Sequence, residues 1–213
     1  MQLLDFIEDT KDKTFVFFGE HHGKHVSFYK DLNKYIDIFD GIFVEFPSDH
    51  QSSVDHFIRT GKFDNRLQSF LQGGLAEGKD QIETFKTIFN YGKTIRVVCI
   101  DSCKSVDGSY IVEGESRDDD MFNNVLRAYK PNQRWLCIVG SRHLTLSQQG
   151  NDIDKSLGEK MKDHFGNELT RVSLITNQES VEKVTAPTYY PVDRSTLPSQ
   201  SYLAQFDAYI ITP

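Results

Sequence analysis

"TFVFFGEHHGKH", residues 14–25, joins a short apolar run to a glycine, a glutamate and three histidines. The run from Thr14 to Phe18 is aromatic and β-branched, which is typical of a strand that is covered on both faces in a parallel sheet. The ionisable residues follow where such a strand ends. Because ligands bind outside the carboxyl ends of the strands in open parallel sheets, this stretch predicts a central strand with a candidate site at its end.

The residues that follow extend this strand into an α/β pattern. Apolar side chains recur at helical spacing from Gly23 to Phe39, and "GIFVEFP" (41–47) predicts a second strand, so that a β-α-β unit forms. Helical patterns then fill residues 48–91, and the polar segment 102–115 has the turn formers of a loop near the site. Further strands are predicted at "IRVVCID" (95–101), "RWLCIVG" (134–140), "LTRVSLIT" (169–176) and "FDAYIIT" (206–212), with further helices opened by Ser116 and near Ile153. We therefore expect one α/β domain over residues 1–213, with a mainly parallel central sheet flanked by helices and a helical insertion after strand two.

Composition narrows the classes of partner. Acidic residues exceed basic ones, the formal net charge is -7, and no Lys/Arg-rich run could follow a phosphate backbone, so we expect no nucleic-acid partner. The three cysteines, Cys99, Cys103 and Cys137, lack the paired spacing of a disulfide framework or a zinc knuckle, which favours reduced thiols and a cytoplasmic protein. No apolar stretch approaches the roughly 20 residues of a membrane span, and the acidic start of the chain is unlike a Sec signal.

Ionisable residues gather at the predicted carboxyl ends of the first four strands. They are Glu20 and His22 after the first strand, Glu45 near the end of the second, Asp101 at the end of the third and His143 three residues after the glycine of the fourth. Two neighbours on an extended chain point to opposite sides, so His22, rather than His21, is expected to share a side with Glu20. A carboxylate that orients a histidine raises its pKa, and the neutral imidazole can then take a proton from water, which becomes the nucleophile.

Four motifs, taken in order, carry a resemblance to a known family. They are "FFGEHHG" (17–23), "VEFP" (44–47), "RDDDMFNN" (117–124) and "IVGSRH" (138–143). Over roughly residues 14 to 145 the set resembles the erythromycin esterase-like and ChaN-like superfamily, which includes TIKI/TraB-type proteins and the Ras-cleaving endopeptidase domain of bacterial toxins. The spacing G-E-x-H-G is closer to the toxin peptidase branch than to the esterase branch, whose first motif reads closer to G-E-x-x-H-G.

The resemblance implies a catalytic cluster of Glu20, His22, Glu45 and His143. It also places Arg117 beside that cluster, and we expect Arg117 and Asp101 to bind substrate, since an arginine can hold a substrate carboxylate or stabilise a developing oxyanion. The activity it implies is hydrolysis of an ester or an amide bond in a protein or small-molecule substrate. A peptidase-like bacterial effector of this kind would leave the cytoplasm by a non-Sec route.

The same residues leave alternatives open. Histidine nitrogen and carboxylate oxygen suit a divalent metal, so Glu20, His22, Glu45 and His143 could all be ligands. A metal-free site is favoured because the tight ligand spacing H-E-x-x-H is absent. The alternative function is a haem- or metal-binding ChaN-like module without turnover. Cys103 could pair with His143 as a nucleophile, but no cysteine-hydrolase signature surrounds it.

Overall fold

The protein is built around a seven-stranded sheet. The computed structural model describes residues 3–20, 25–73, 79–101, 104–106, 109–111, 117–145, 155–176, 187–192 and 206–212. In chain order the elements are α1 (Leu3–Asp9), β1 (Phe15–Glu20), α2 (Val26–Leu32), β2 (Gly41–Pro47), α3 (Gln51–Thr60), α4 (Asn65–Gly73), α5 (Lys79–Asn90), β3 (Arg96–Asp101), β4 (Lys104–Val106), β5 (Ser109–Ile111), α6 (Arg117–Ala128), β6 (Trp135–Gly140), α7 (Leu157–Phe165), β7 (Leu169–Thr176), β8 (Thr188–Pro191) and β9 (Ala208–Thr212).

The strand order places the four predicted site strands side by side. It runs β3-β2-β6-β1-β7-β9-β8. Every neighbouring pair from β3 to β9 is parallel, and β8 runs antiparallel beside β9. The register sets Glu20, the last residue of β1, opposite Gly140, the last residue of β6. The carboxyl ends of β1, β2, β3 and β6 therefore meet at one edge, and the predicted α/β class with a mainly parallel sheet is confirmed.

Helices cover both faces of the sheet and bury two apolar clusters. Alternation along β1 sends Val16 and Phe18 to one face and Phe15 and Phe17 to the other, and all four side chains are fully buried. Helices α1 to α5 pack on the Phe18 face, and α6 and α7 pack on the Phe17 face. Burial on both faces explains why this strand is continuously apolar in sequence. The predicted insertion after strand two consists of α3, α4 and α5.

The structure departs from the sequence interpretation at β1 and in the segment 102–115, and it contains α1 and β8, which the sequence analysis did not predict. β1 extends to Glu20, so this carboxylate belongs to the strand instead of following it. The segment 102–115, which we expected to be a loop, contains the antiparallel pair β4 and β5. Strands of three residues are too short to show a period-two pattern. None of the helices in the described ranges combines the length and the apolar character needed to cross a lipid bilayer.

Gly41 of β2 and Trp135 of β6 are register partners in close contact. Gly41 opens β2, and a Cβ atom at this position would lie 2.2 Å from the Trp135 ring. Trp135 is fully buried and stacks on Phe43, with the two ring centroids 4.2 Å apart. The indole therefore fills the space that the glycine leaves.

We expect Gly41→Ala to lower the free energy of unfolding by about 1–3 kcal/mol, because an added methyl group overpacks a filled core. Gly61→Asn is the control, since a Cβ there meets no atom within 4 Å and asparagine tolerates its φ of 70°. Urea unfolding followed by the fluorescence of Trp135 measures both variants. A loss in Gly61→Asn as large as that in Gly41→Ala would contradict the packing argument.

Candidate active site

Glu45 is the residue at which the candidate site converges. Its side chain is 8% exposed. One oxygen, Oε2, accepts a hydrogen bond from the backbone N–H of Gly140 at 2.5 Å. The other, Oε1, accepts from Nη2 of Arg117 at 2.7 Å and lies 3.3 Å from Nε2 of His143. Strands β2 and β6, helix α6 and the turn after β6 thus meet at one carboxylate.

Arg117 joins two of the predicted site carboxylates. It begins α6, and its Nε and Nη2 donate to the two oxygens of Asp101 at 2.8 and 2.6 Å, while Nη2 also donates to Glu45. Asp101 ends β3 and its side chain is 2% exposed, whereas that of Arg117 is 32% exposed. The planar guanidinium matches a carboxylate with two parallel hydrogen bonds, so Asp101 fixes the plane in which Arg117 reaches Glu45.

His143 lies between two carboxylates. It belongs to the 3-10 turn Ser141–Leu144, which directly follows β6. Its Nδ1 lies 2.5 Å from Oδ1 of Asp118, and its Nε2 faces Glu45. Both ring nitrogens can donate to these oxygens when the imidazole is protonated.

The charge state of His143 follows from this geometry. Burial alone lowers the pKa of His143, but hydrogen bonds to Asp118 and Glu45 and the charges of both carboxylates outweigh it and raise the pKa to about 9. The side chain therefore carries a proton at neutral pH. Because this pKa is above the unfolded value of about 6.5, these contacts stabilise the fold fully below that pH, and the stabilisation is lost as the pH rises through about 9.

Glu20 is held by a buried phenol. Two residues after Phe18 on the same strand, its side chain emerges on the face that packs against α2. The hydroxyl of Tyr29 on α2 donates to Oε2 of Glu20 at 2.5 Å. Burial and the charge of Glu20 raise the pKa of Tyr29 well above its usual value, so the phenol keeps the proton that it donates. The hydroxyl of Tyr91 in turn donates to the backbone carbonyl of Tyr29.

The structure brings four of the six predicted site residues into direct contact. They are Glu45, Asp101, Arg117 and His143. Glu20 lies at the same edge, opposite Gly140 in the strand register, and its contact is with Tyr29. His22 lies outside the described residues, as do His21 and Cys103.

Asp118 is the residue that sequence reasoning missed. It is one of three aspartates, 118–120, in the first turn of α6, where the helix dipole favours acids, so the sequence gives no separate reason to single it out. Asp119 does fit that explanation and pairs with Lys160 of α7. Asp118 instead binds His143. The signal that could have found it is its position directly after Arg117 in the third of the four motifs, since the fourth motif ends in His143.

The described donor set does not fit a metal ion. Both oxygens of Glu45 accept hydrogen bonds, and the cation of Arg117 lies against one of them. His143 would have to lose a proton before one of its ring nitrogens could bind a metal or a haem iron. Within the ranges given above, no group of three or more histidines, cysteines and carboxylates is placed to hold an ion.

Comparison with known proteins rests on solved structures, since no protein-family model and no curated protein matches the chain. An erythromycin esterase mutant in its open conformation is 11% identical, with a TM-score of 0.60, and the match covers 99% of this chain and 93% of that one. ChaN of Campylobacter jejuni, which binds haem cofacially, is 12% identical with a TM-score of 0.56 over 100% and 92% of the two chains. The chain has the fold of the erythromycin esterase-like and ChaN-like proteins.

A bacterial toxin structure shares this fold too. It is 18% identical with a TM-score of 0.53, and the match covers 84% of this chain. The chain spans 37% of the length of that toxin chain. The resemblance read from the four motifs is therefore confirmed at the level of the fold, by an esterase, a haem-binding protein and a toxin.

We expect the pKa of His143 to lie at about 9 and Asp118→Asn to lower it, since a neutral amide no longer stabilises the imidazolium. NMR titration of the imidazole carbon resonances in histidine-labelled protein measures the change. Asp120→Asn is the matched control, because it removes one charge from the same helical turn and none of the contacts described for His143 involves Asp120. Equal shifts in the two variants would mean that general charge, and not the hydrogen bond, sets the pKa.

Proposed function

We propose that the protein hydrolyses an ester or amide bond at the carboxyl edge of its sheet, with water as the nucleophile. The observation that carries this proposal is the chain of contacts from Asp118 through His143 to Glu45, with Arg117 on the same carboxylate. It sets an imidazolium and a guanidinium side by side in a largely buried place. Two fixed positive groups suit a reaction in which negative charge develops on a carbonyl oxygen and a leaving group needs a proton.

The roles divide between the two halves of the site. His143, protonated at neutral pH, acts as the general acid that gives a proton to the leaving group. His22 acts as the general base that takes a proton from water, and Glu20 orients it. Glu45 holds the two cations in place. The sequence analysis allowed either histidine to serve as the base, with one carboxylate beside each imidazole. His143 contacts two carboxylates, Glu45 and Asp118, and we therefore assign it the role of acid.

Arg117 and Asp101 act as a pair. The guanidinium is the more exposed partner, so we propose that Arg117 stabilises the developing oxyanion or holds a substrate carboxylate. Asp101 is buried and binds Arg117 with both oxygens, so we assign it to positioning Arg117 rather than to contacting substrate.

The substrate class proposed is a peptide bond in a protein. The G-E-x-H-G spacing and the fold shared with a bacterial toxin support a peptidase-like effector, made in the cytoplasm and secreted by a non-Sec route. We propose a reaction without a metal, because Glu45 and His143, two of the four candidate ligands, contact each other and Glu45 also binds Arg117. The alternative function is a haem-binding module without turnover, because ChaN, which shares this fold, binds haem. The pH series described next distinguishes this function from hydrolysis.

We expect hydrolysis of members of a peptide and ester library to follow a bell-shaped pH profile. Activity rises with pH as His22 loses its proton and becomes the neutral base. It falls as His143 loses its proton, near pH 9. Asp118→Asn lowers the pKa of His143 and moves the falling limb to lower pH, while the control Asp120→Asn leaves it in place.

Three results of this pH series would overturn parts of the proposal. If the falling limb of the pH profile stayed at the same pH in Asp118→Asn, His143 would not be the general acid. Loss of activity on chelation, with recovery on adding an ion, would restore the metal-dependent alternative. No turnover at any pH, together with a Soret band on stoichiometric addition of haem, would favour the binding module.

A second test addresses Arg117. We expect Arg117→Lys to lower kcat/KM by about 10- to 100-fold, because an ammonium keeps the charge but cannot bind both oxygens of Asp101 and Glu45 together. Arg142→Lys, an exposed neighbour of His143 in the same turn, is the control and should keep full activity. Steady-state kinetics on one library member measures both variants. Unchanged kinetics in Arg117→Lys would contradict a role for Arg117 in catalysis or substrate binding and leave only its structural role at the start of α6.

A further inference from the structure

A groove of about 560 Å³ runs along β3, away from the residues of the candidate site. β3 is the edge strand of the sheet and forms the floor of the groove through Val97, Val98 and Cys99. Helix α3 lines one side and helix α6 lines the other. Neither Glu45 nor His143 is among its lining residues. The groove is therefore a second concave surface, and the proposed hydrolysis does not use it.

The outer edge of β3 is paired with a side chain that imitates a peptide. Gln51 accepts a hydrogen bond from the N–H of Cys99 at 2.8 Å and donates one to the carbonyl of Val97 at 3.0 Å. Residues two apart on a strand direct their backbone groups to the same edge, so both bonds lie on the side away from β2. A carboxamide presents one donor and one acceptor on the same side, as the N–H and C=O of one residue in a parallel strand do. Gln51 thus occupies the place of one residue of a further strand.

The walls of the groove are positively charged. Arg59, Arg96 and Arg127 line it and are all exposed, against one lining carboxylate, Asp55. The oxygen Oδ1 of Asp55 accepts a hydrogen bond from Gln51. Arg59 makes no ion pair with any residue in the described part of the chain. An excess of positive charge in one groove of a chain with a formal charge of -7 attracts an acidic ligand, whereas a two-fold contact of the groove with the same groove of a second copy would bring arginines together.

We propose that this groove docks an extended acidic segment of a partner protein, which adds to β3 as an eighth strand and displaces the side chain of Gln51. Main-chain hydrogen bonds to Val97 and Cys99 give the segment its extended form, and the arginines select its acidic side chains. A free small anion would bind to the arginines alone, and the hydrogen bonds of Gln51 to Val97 and Cys99 would stay intact. The segment lies along a strand that ends at Asp101, so it leads toward the edge that carries the candidate site. Docking does not depend on hydrolysis.

The probe is a fluorescein-labelled peptide in which glutamate and valine alternate, and binding is followed by fluorescence anisotropy at low salt. We expect Arg59→Glu and Arg127→Glu each to weaken binding about tenfold, because each places a like charge against the peptide. Lys34→Glu is the matched control, with the same change of charge at an exposed residue that does not line the groove, and should keep the affinity within about twofold. A peptide that alternates lysine and valine should bind at least about tenfold more weakly. Absence of binding by the acidic peptide, or equal losses in Arg59→Glu and Lys34→Glu, would overturn the proposal.

Two further measurements separate strand addition from binding of acidic side chains. N-methylation of alternate residues removes the N–H groups on one edge of the peptide, so one of the two methylation registers should abolish binding and the other should keep it. Gln51→Leu removes the competing carboxamide and should tighten binding about fivefold. Equal binding by both methylated peptides, weaker binding in Gln51→Leu, or competition by inorganic phosphate at the concentration of the peptide would show a small-anion site instead.

Discussion

The edge of the sheet depends on the burial of one negative charge. A carboxylate taken out of water is stable when hydrogen bonds and opposite charges replace its hydration, and Glu45 obtains these from Gly140, Arg117 and His143. Its partners come from a neighbouring strand, from the start of α6 and from the turn after β6. Satisfying this carboxylate therefore fixes the relative positions of the elements that carry the site, and the same contacts keep two cations together.

The sheet and most of the site could be predicted because both follow from strand order and polarity. A strand covered on both faces is continuously apolar, and parallel strands end at one edge, so these two features predict that Glu45, Asp101 and His143 lie together. Asp118 could not be found in this way. An acid in the first turn of a helix already has a sufficient explanation, and the contact with His143 spans 25 residues of sequence. Burial lowers the pKa of His143, and the hydrogen bond of this contact is the largest of the effects that raise it.

Polar contacts between helices and strands are a second class of contact that could not be predicted from the sequence pattern. Apolar spacing identifies the buried face of α2 and α3, but it does not say which polar atom at the border of that face meets which partner. Tyr29 has the spacing of a core residue and is fully buried, yet its hydroxyl binds Glu20. Gln51 opens α3 as an unremarkable polar residue, and its amide binds the backbone of an edge strand 46 and 48 residues away. Such contacts depend on atomic positions that periodicity leaves undetermined.

The two tyrosines give the helical insertion a role beyond covering the sheet. Tyr91 follows α5, the last helix of that insertion, and its hydroxyl donates to the carbonyl of Tyr29, whose own hydroxyl donates to Glu20. Both phenols are fully buried. The insertion is therefore not a module that relatives can exchange without consequence. A chimera whose replacement segment lacked a tyrosine at position 91 would loosen the support of α2 and alter a carboxylate at the sheet edge without changing any residue there.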